Sequence, residues 1–503
     1  MSGRVQTVAV VGRDAPVWLA AAAVQRALGR TGVTVRVVEQ ETRLADVDVY
    51  AAVPSIASMH RLLGLEERLV LQVCNAVPMV AQRFSNWAKG APPYFVAYDD
   101  EPPPGGDLPF TQYWAKGMLE GLRVGLEDFS LGTACARLNA VPVPPSELAP
   151  PSASYGYHLD APRYAELAKQ LALRLGAQGA PAGLRNVDVE GDRIAGIDLA
   201  DGTRIAADLY IDASGPEARL IGNLGGAGFE PWSEWLPCDR LLTASGPRLP
   251  SLPAFSQISA FKCGWVGLFP LQDRTAIVAA YSSGAIGDAE VVELASVVSR
   301  MPVGGDAVVS ELRPGMQQRP WIGNCVAVGQ SAITLEPIDA LDLHTTHGCI
   351  SHLMAMFPAA AGEFPESEAY NRSVNSFATN LRDFQAAHYC LNRRYDDPFW
   401  DEVRETRMPP GLQRKVDMFD ARALVPLTDD ESFFEQAWAS LLLGSGIIPK
   451  GYDPRVDGLP DEAHIQKVQE RLRGVAAIAR QMPSVEHFLG IDQPTPARVS
   501  GQA

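Results

Sequence analysis

Gly12-Arg13-Asp14-Ala15-Pro16-Val17 follows an apolar, β-branched run and leads into an alanine-rich helical pattern. That is where a nucleotide-binding chain cradles phosphates, on the N–H groups of a helix start. The chemistry calls for Gly-x-Gly-x-x-Gly, because the backbone must come close to the pyrophosphate. Gly12 is in place, but Asp14 stands at the second glycine position and Val17 at the third. A carboxylate there would face a diphosphate with like charge, and Pro16 removes one amide donor. Taken alone, the turn reads better as a helix start capped by Asp14 than as a phosphate cradle. Glu39, at the end of the next strand pattern, keeps the carboxylate that would bind a ribose hydroxyl. Seven cysteines without a Cys-x-x-Cys pair suit neither zinc nor a disulfide framework. His344 and His347 sit three apart with no third ligand nearby, so no metal is expected.

The elements that must position these groups follow from the apolar pattern. Residues 7–11 read as a strand, 18–28 as a helix and 33–38 as a second strand ending at Glu39, the opening of a βαβ unit. Proline-rich breaks at 102–104 and 142–151 read as loops. Residues 164–175 read as a helix, then 187–189, 194–197 and 208–211 as short strands between Gly-Asp and Asp-Gly turns. The last strand runs into Asp212-Ala213-Ser214-Gly215, and from about Gly348 the pattern turns mostly helical. The expectation is an α/β chain with a Rossmann-type sheet, β-rich insertions and a helical C-terminal region. The predicted divisions are 1–360, 361–492 and a flexible tail at 493–503.

Bulk composition narrows the function classes. A chain of 503 residues exceeds what one core usually covers, and 47% apolar with 20% charged residues is ordinary for a soluble protein. The net charge of -16 argues against nucleic-acid partners, which need clustered Lys and Arg. No apolar run approaches the roughly 20 residues of a membrane span. The first residues pass almost directly into a strand without signal-peptide anatomy, so a cytoplasmic protein off the membrane is expected.

Several segments, in order along nearly the whole chain, resemble the flavin-dependent tryptophan halogenases. They are Leu236-Pro237-Cys238-Asp239-Arg240, Gly264-Trp265, Pro270-Leu271-Gln272, Leu335-Glu336-Pro337 with His344, His388-Tyr389-Cys390-Leu391, Asp397-Pro398-Phe399-Trp400, and Gly444-Ser445-Gly446-Ile447 with Pro449 and Tyr452. The resemblance implies a flavoprotein-monooxygenase-like fold binding FAD, in which Asp212, Gly215 and Gly329 lie beside the cofactor. It also implies a reaction: flavin hydroperoxide yields hypochlorous acid, which travels to a lysine beside an indole, and a glutamate assists there.

At those positions the chain departs from the family. The register set by Arg83, Phe84 and Trp87 puts Met79 in the lysine's place, and a thioether offers no N–H. Lys89 is the nearest alternative in sequence, but lies beyond Trp87. One strap reads Val49-Tyr50-Ala51-Ala52 before Val53-Pro54. In the other, Ile333 replaces a glycine ahead of Pro337, where it is expected to crowd the flavin ring, and Asp339 replaces the glutamate. Leu341 and Asp342 replace the pair whose backbone helps to hold chloride, and Asp342 would repel it. Trp265 and Phe269 fall in a Trp-x-Trp-x-Ile-Pro motif that keeps one tryptophan of two. The pattern implies a noncatalytic paralogue with no tightly bound cofactor, paired with itself or with an active halogenase-type subunit. The alternatives are an active flavin monooxygenase that binds FAD, or a module binding an indole or peptide. Trp87, Trp114, Trp265, Phe269, Trp400 and Trp438 are the aromatic residues expected to line a substrate pocket.

Overall fold

In the computed structural model, which describes residues 3–99, 108–143 and 153–491, the strand Thr7–Gly12 runs parallel to Thr34–Glu39 and Leu209–Ala213. Val10 lies opposite both Val37 and Ile211. Continuous β-branched runs suit such strands, because a parallel sheet is covered on both faces. Six strands complete this sheet, in the order Trp321–Ile322, Cys325–Ala327, Leu209–Ala213, Thr7–Gly12, Thr34–Glu39, Gln178–Gly179. The helix Asp14–Leu28 covers it, packing its buried Ala20, Ala21, Ala22 and Ala23 side with the helix Ala161–Leu175 nearby. That second helix starts where Asp160 accepts from the Arg163 N–H and stops at Gly176, φ 106°.

The first helix begins a turn earlier than its apolar pattern indicates, since Pro16 is comfortable in a first turn. Its cap differs from expectation. Arg13 is the N-cap and makes no side-chain cap bond, while the Asp14 carboxylate accepts from Thr42 Oγ1 at 2.5 Å. Asp14 takes φ 56°, so this turn still uses the left-handed backbone that a glycine would adopt most easily.

A seven-stranded sheet forms the second layer, from Val308–Glu311 at one edge through Arg240–Pro247, Arg274–Tyr281, Gly264–Pro270, Phe255–Phe261 and Ala81–Ser85 to Tyr94–Ala97. A small sheet joins the layers: Gly156–Asp160 lies between Val49–Ala52 and Val77–Met79. Gly156 is required here, because a Cβ would stand 1.8 Å from the Ala52 carbonyl oxygen.

Helices dominate from Asp342–Ala355 onward, including the long Glu366–Cys390. The helical region after 360 packs on the rest of the chain. One buried cluster runs from Val5 to Val468, and the helix Asp461–Ala479 packs on Phe110–Leu119 and Leu131–Leu138 from the first third of the chain. The tail from 493 and the 102–104 loop lie outside the described residues. Among the described residues no helix is long and apolar enough to cross a membrane, and no group of three or more His, Cys, Asp or Glu could hold a metal ion.

Candidate functional site

A groove of about 240 Å³ opens beside the turn after Thr7–Gly12. Asp14, Gly215, Pro337 and Asp342 line it, with Asp48, Tyr50, Arg13 and Arg43. Tyr50 has Asp14, Asp48 and Asp342 as charged neighbours; burial raises its hydroxyl and these three add to the effect. Burial lifts the Asp14 and Asp48 carboxyls as well. Asp342 is pushed up to about 6 by burial, with Asp48 adding to the rise. Three cations also line it: Arg13 and Arg43 share Glu217, Arg313 pairs with Glu311, and the buried Arg13 Nε is left without a protein partner.

The remaining nucleotide-site residues stand elsewhere. Glu39 does not present a free carboxylate, since Trp18 Nε1 donates to it at 3.0 Å and Lys169 Nζ at 2.6 Å. Asp212 accepts from the N–H groups of Ser214, Leu220 and Ile221 and from the hydroxyls of Ser214 and Ser331, which makes it the anchor of its own turn. Gly12 is needed because a Cβ would meet the Ala213 carbonyl at 2.1 Å, and Gly329 (φ 58°) because a Cβ would meet Thr346 Oγ1 at 2.6 Å. Both glycines therefore have packing reasons to persist. Val17 and Ile333 are buried in the core and line no part of the groove; alternation along Ile333–Thr334 turns Thr334 to it instead. Ile333 therefore does not line this groove, whereas Asp14, Asp48 and Asp342 do. Glu39 thus has two donors already, and Asp14, Asp48 and Asp342 set like charge against any diphosphate in the groove.

Met79 is fully buried opposite Gly156, and its sulfur accepts from Ser256 Oγ at 3.3 Å. Lys89 is committed to the Tyr395 carbonyl at 2.5 Å and to Asp397 at 3.3 Å. Asp339 is buried where Pro337 and Ile338 lead into the helix Asp342–Ala355, and Gln82 Nε2 fixes the strap by donating to the Ile338 carbonyl at 2.7 Å. Ala340 turns it at φ 62°, a conformation costing a non-glycine residue about 1 kcal/mol. Asp339 Oδ1 lies 3.0 Å from His388 Nε2, while Asp339 Oδ2 and His388 Nδ1 have no protein partner. The imidazole stacks on Phe84 at 4.4 Å and meets Trp87 edge-on.

Beside this pair lies a second buried network. Trp265 Nε1 and the Tyr389 hydroxyl donate to Glu336 Oε2 at 2.8 and 2.5 Å, and Cys238 Sγ is 3.2 Å from that hydroxyl. Burial pushes the Glu336 carboxyl up to about 7 against these donors. Four of the motif segments thus meet at one point. His388 and Glu336 were not among the candidate site residues read from sequence, although both stand inside the quoted motifs.

The aromatic residues chosen from sequence are core residues. Trp87, Trp114, Trp265, Phe269, Trp400 and Trp438 are all buried, with Trp400 stacked on Tyr389 at 5.5 Å. Phe269 fills space left by Gly267, whose Cβ would stand 2.6 Å from the ring. A pocket of about 470 Å³ lies instead among Val53, Pro54, Tyr98, Phe377, Phe433 and Phe434. Tyr98 has Asp339 as a charged neighbour, which places this pocket beside the Asp339–His388 pair. His344 borders it, bonded through Nδ1 to Ser55 Oγ (2.8 Å) and through Nε2 to Ser432 Oγ (2.9 Å). Such a cavity can hold one aromatic ligand.

A family model described as tryptophan halogenase matches residues 7–461. The chain is similar to tryptophan 7-halogenase RebH of Lentzea aerocolonigenes, with 26% identity over 97% of this chain and 99% of that protein. Among solved structures it is similar to Xcc4156, a flavin-dependent halogenase from Xanthomonas campestris, at 27% identity and a TM-score of 0.91 over 98% and 99% of the two chains. BrvH, a flavin-dependent halogenase from Brevundimonas sp. BAL3, gives 26% identity and a TM-score of 0.88 over 97% and 99%.

Proposed function

Since the chain belongs to the tryptophan halogenase family, we propose that it keeps the family fold and an aromatic pocket but has given up flavin-dependent halogenation. The supporting observation is the groove that Asp14, Asp48 and Asp342 surround. Pyrophosphate and halide are both anions, and each would enter against these carboxylates. Met79 supports the same reading, because a buried thioether can neither donate a hydrogen bond nor become a chloramine.

In this reading the protein serves as a noncatalytic subunit, paired with a second copy or with an active halogenase-type relative. The edge strand Val308–Glu311 favours the pairing: among the described residues it pairs only with Arg240–Pro247, and it exposes Val308 and Val309 beside the groove. An unprotected edge of this kind is a template for another chain.

The test supplies the purified protein with FAD, a flavin reductase, NADH, chloride and tryptophan. The expected outcome is a colourless protein and no chlorotryptophan by mass spectrometry. Chlorinated product would overturn the reading, and a yellow protein that oxidises the indole without chlorine would establish a flavin monooxygenase in its place.

A further inference from the structure

A cleft of about 500 Å³ lies between the helices Glu67–Val73 and Val485–Leu489. It shares no lining residue with the groove or with the aromatic pocket. Glu67 is its one carboxylate, and that carboxylate is held in place. Tyr155 and Tyr157, two positions apart as residues on one side of an extended chain are, both donate to Glu67 Oε1, Tyr155 at 2.9 Å. Burial, with the Glu67 charge adding to it, keeps both phenols protonated and therefore donors. Tyr157 is 3% exposed and sits in the strand Gly156–Asp160 opposite Ala52 and Pro78, which fixes its hydroxyl. Glu67 Oε2 receives no donor among the described residues.

Arg68, the next residue, lines the same cleft and makes no ion pair or side-chain hydrogen bond among the described residues. The apolar part of the wall is fixed as well. Leu71, Phe488 and Leu489 form it, and the Phe488 ring meets Tyr155 edge-on at 5.8 Å. Gln272 Nε2 ties down the end of the first helix by donating to the Leu71 and Ala76 carbonyls at 2.8 and 2.9 Å. A carboxylate and a guanidinium that do not neutralise each other suit a ligand carrying both charges of its own. A lone amine would meet repulsion from Arg68, and a lone carboxylate repulsion from Glu67. We propose that this cleft binds a free apolar amino acid as its zwitterion, with Glu67 receiving the ammonium, Arg68 the carboxylate, and Leu71, Phe488 and Leu489 the side chain.

The cleft holds none of the groove residues, so isothermal titrations use the full chain without flavin. L-Phenylalanine is expected to bind roughly tenfold more tightly than 2-phenylethylamine or 3-phenylpropionate, each of which keeps only one of the two charges. Glu67→Gln, which still accepts from both tyrosines, is expected to weaken phenylalanine roughly fivefold, and Arg68→Gln by a similar factor. Both positions are exposed, so the fold tolerates the changes. Phenylalanine binding no tighter than either half, full affinity in both variants, or no heat at millimolar phenylalanine would each overturn the proposal. So would a loss of phenylalanine binding in Phe434→Ala but not in Glu67→Gln, because that would place the ligand in the aromatic pocket. None of these results bears on flavin, so this site and the functional reading fail separately.

Discussion

Asp339 Oδ1 and His388 Nε2 meet at 3.0 Å with neither side chain exposed, which joins the strap after Pro337 to the long helix Glu366–Cys390. Removing one member of a buried pair leaves the other polar group without compensation. His388→Ala is therefore expected to lower stability by about 3 kcal/mol in urea denaturation, with part of that loss coming from the vacated stack on Phe84. Asp339→Asn can still accept from Nε2 and is expected to cost about 1 kcal/mol. A loss below about 1 kcal/mol for His388→Ala would show that the pair contributes nothing.

Glu336 makes the fold sensitive to pH in one direction. Its carboxyl is raised by burial to about 7 in the folded chain from an ordinary 4.5. The stability associated with its protonated form is complete below pH 4.5 and is lost as pH rises through 7. Glu336→Gln removes that titration. The variant should gain on the parent by about 3 kcal/mol between pH 4.5 and pH 8, measured by chemical denaturation at each pH. A constant difference across that window would contradict the assignment.

His347 acts in the opposite sense. Both ring nitrogens lack partners in the buried interior, and burial holds the imidazole well below its usual range. A depressed histidine contributes stability above the unfolded-state value of 6.5 that is lost as pH falls below it. His347→Leu should therefore reduce the loss between pH 7 and pH 5.5 by about 1 kcal/mol. Thermal melts of parent and variant at the two pH values give the comparison, and an unchanged loss would contradict the prediction.

Contiguous features were legible in the sequence, and features built from distant segments were not. The β-branched runs around Val10, Val37 and Ile211 announced a parallel sheet because covered strands need no polar alternation. The unfavourable charge of Asp14 could be seen because the phosphate turn is local. The engagement of Glu39 could not, since Lys169 lies 130 residues away. The burial of Ile333 could not be read from the sequence either, since which of Ile333 and Thr334 faces the groove depends on the pairing of that short strand. The tryptophans were assigned to a pocket on chemical grounds, yet an indole is also efficient core filling, and that is how Trp87, Trp400 and Trp438 are used. The cavity takes its walls from Val53, Tyr98, Phe377 and Phe433, four separated segments without a shared motif.

Met79→Lys tests the proposed loss of halogenation at the position where the resemblance puts a lysine. A lysine at this buried site would press an ammonium against Ser256 and the core strands, and an uncompensated charge there costs several kcal/mol. The variant is expected to melt earlier than the parent and to yield no chlorotryptophan, because the groove remains anionic and the parts of such a site act as a unit. Detection of chlorinated product from this single variant would show that the groove still works.

The groove at Asp14, Asp48 and Asp342 is expected not to take a flavin dinucleotide, and a direct titration of the purified chain with FAD decides it. Flavin fluorescence and calorimetry, followed together at low salt, are expected to show no saturable binding up to about one hundred micromolar FAD, weaker than roughly -5.5 kcal/mol. Asp14→Gly should strengthen binding only modestly, since Asp48 and Asp342 remain and Glu39 is still held by Lys169. Stoichiometric binding to the unaltered chain below about ten micromolar, near -7 kcal/mol, would contradict the account.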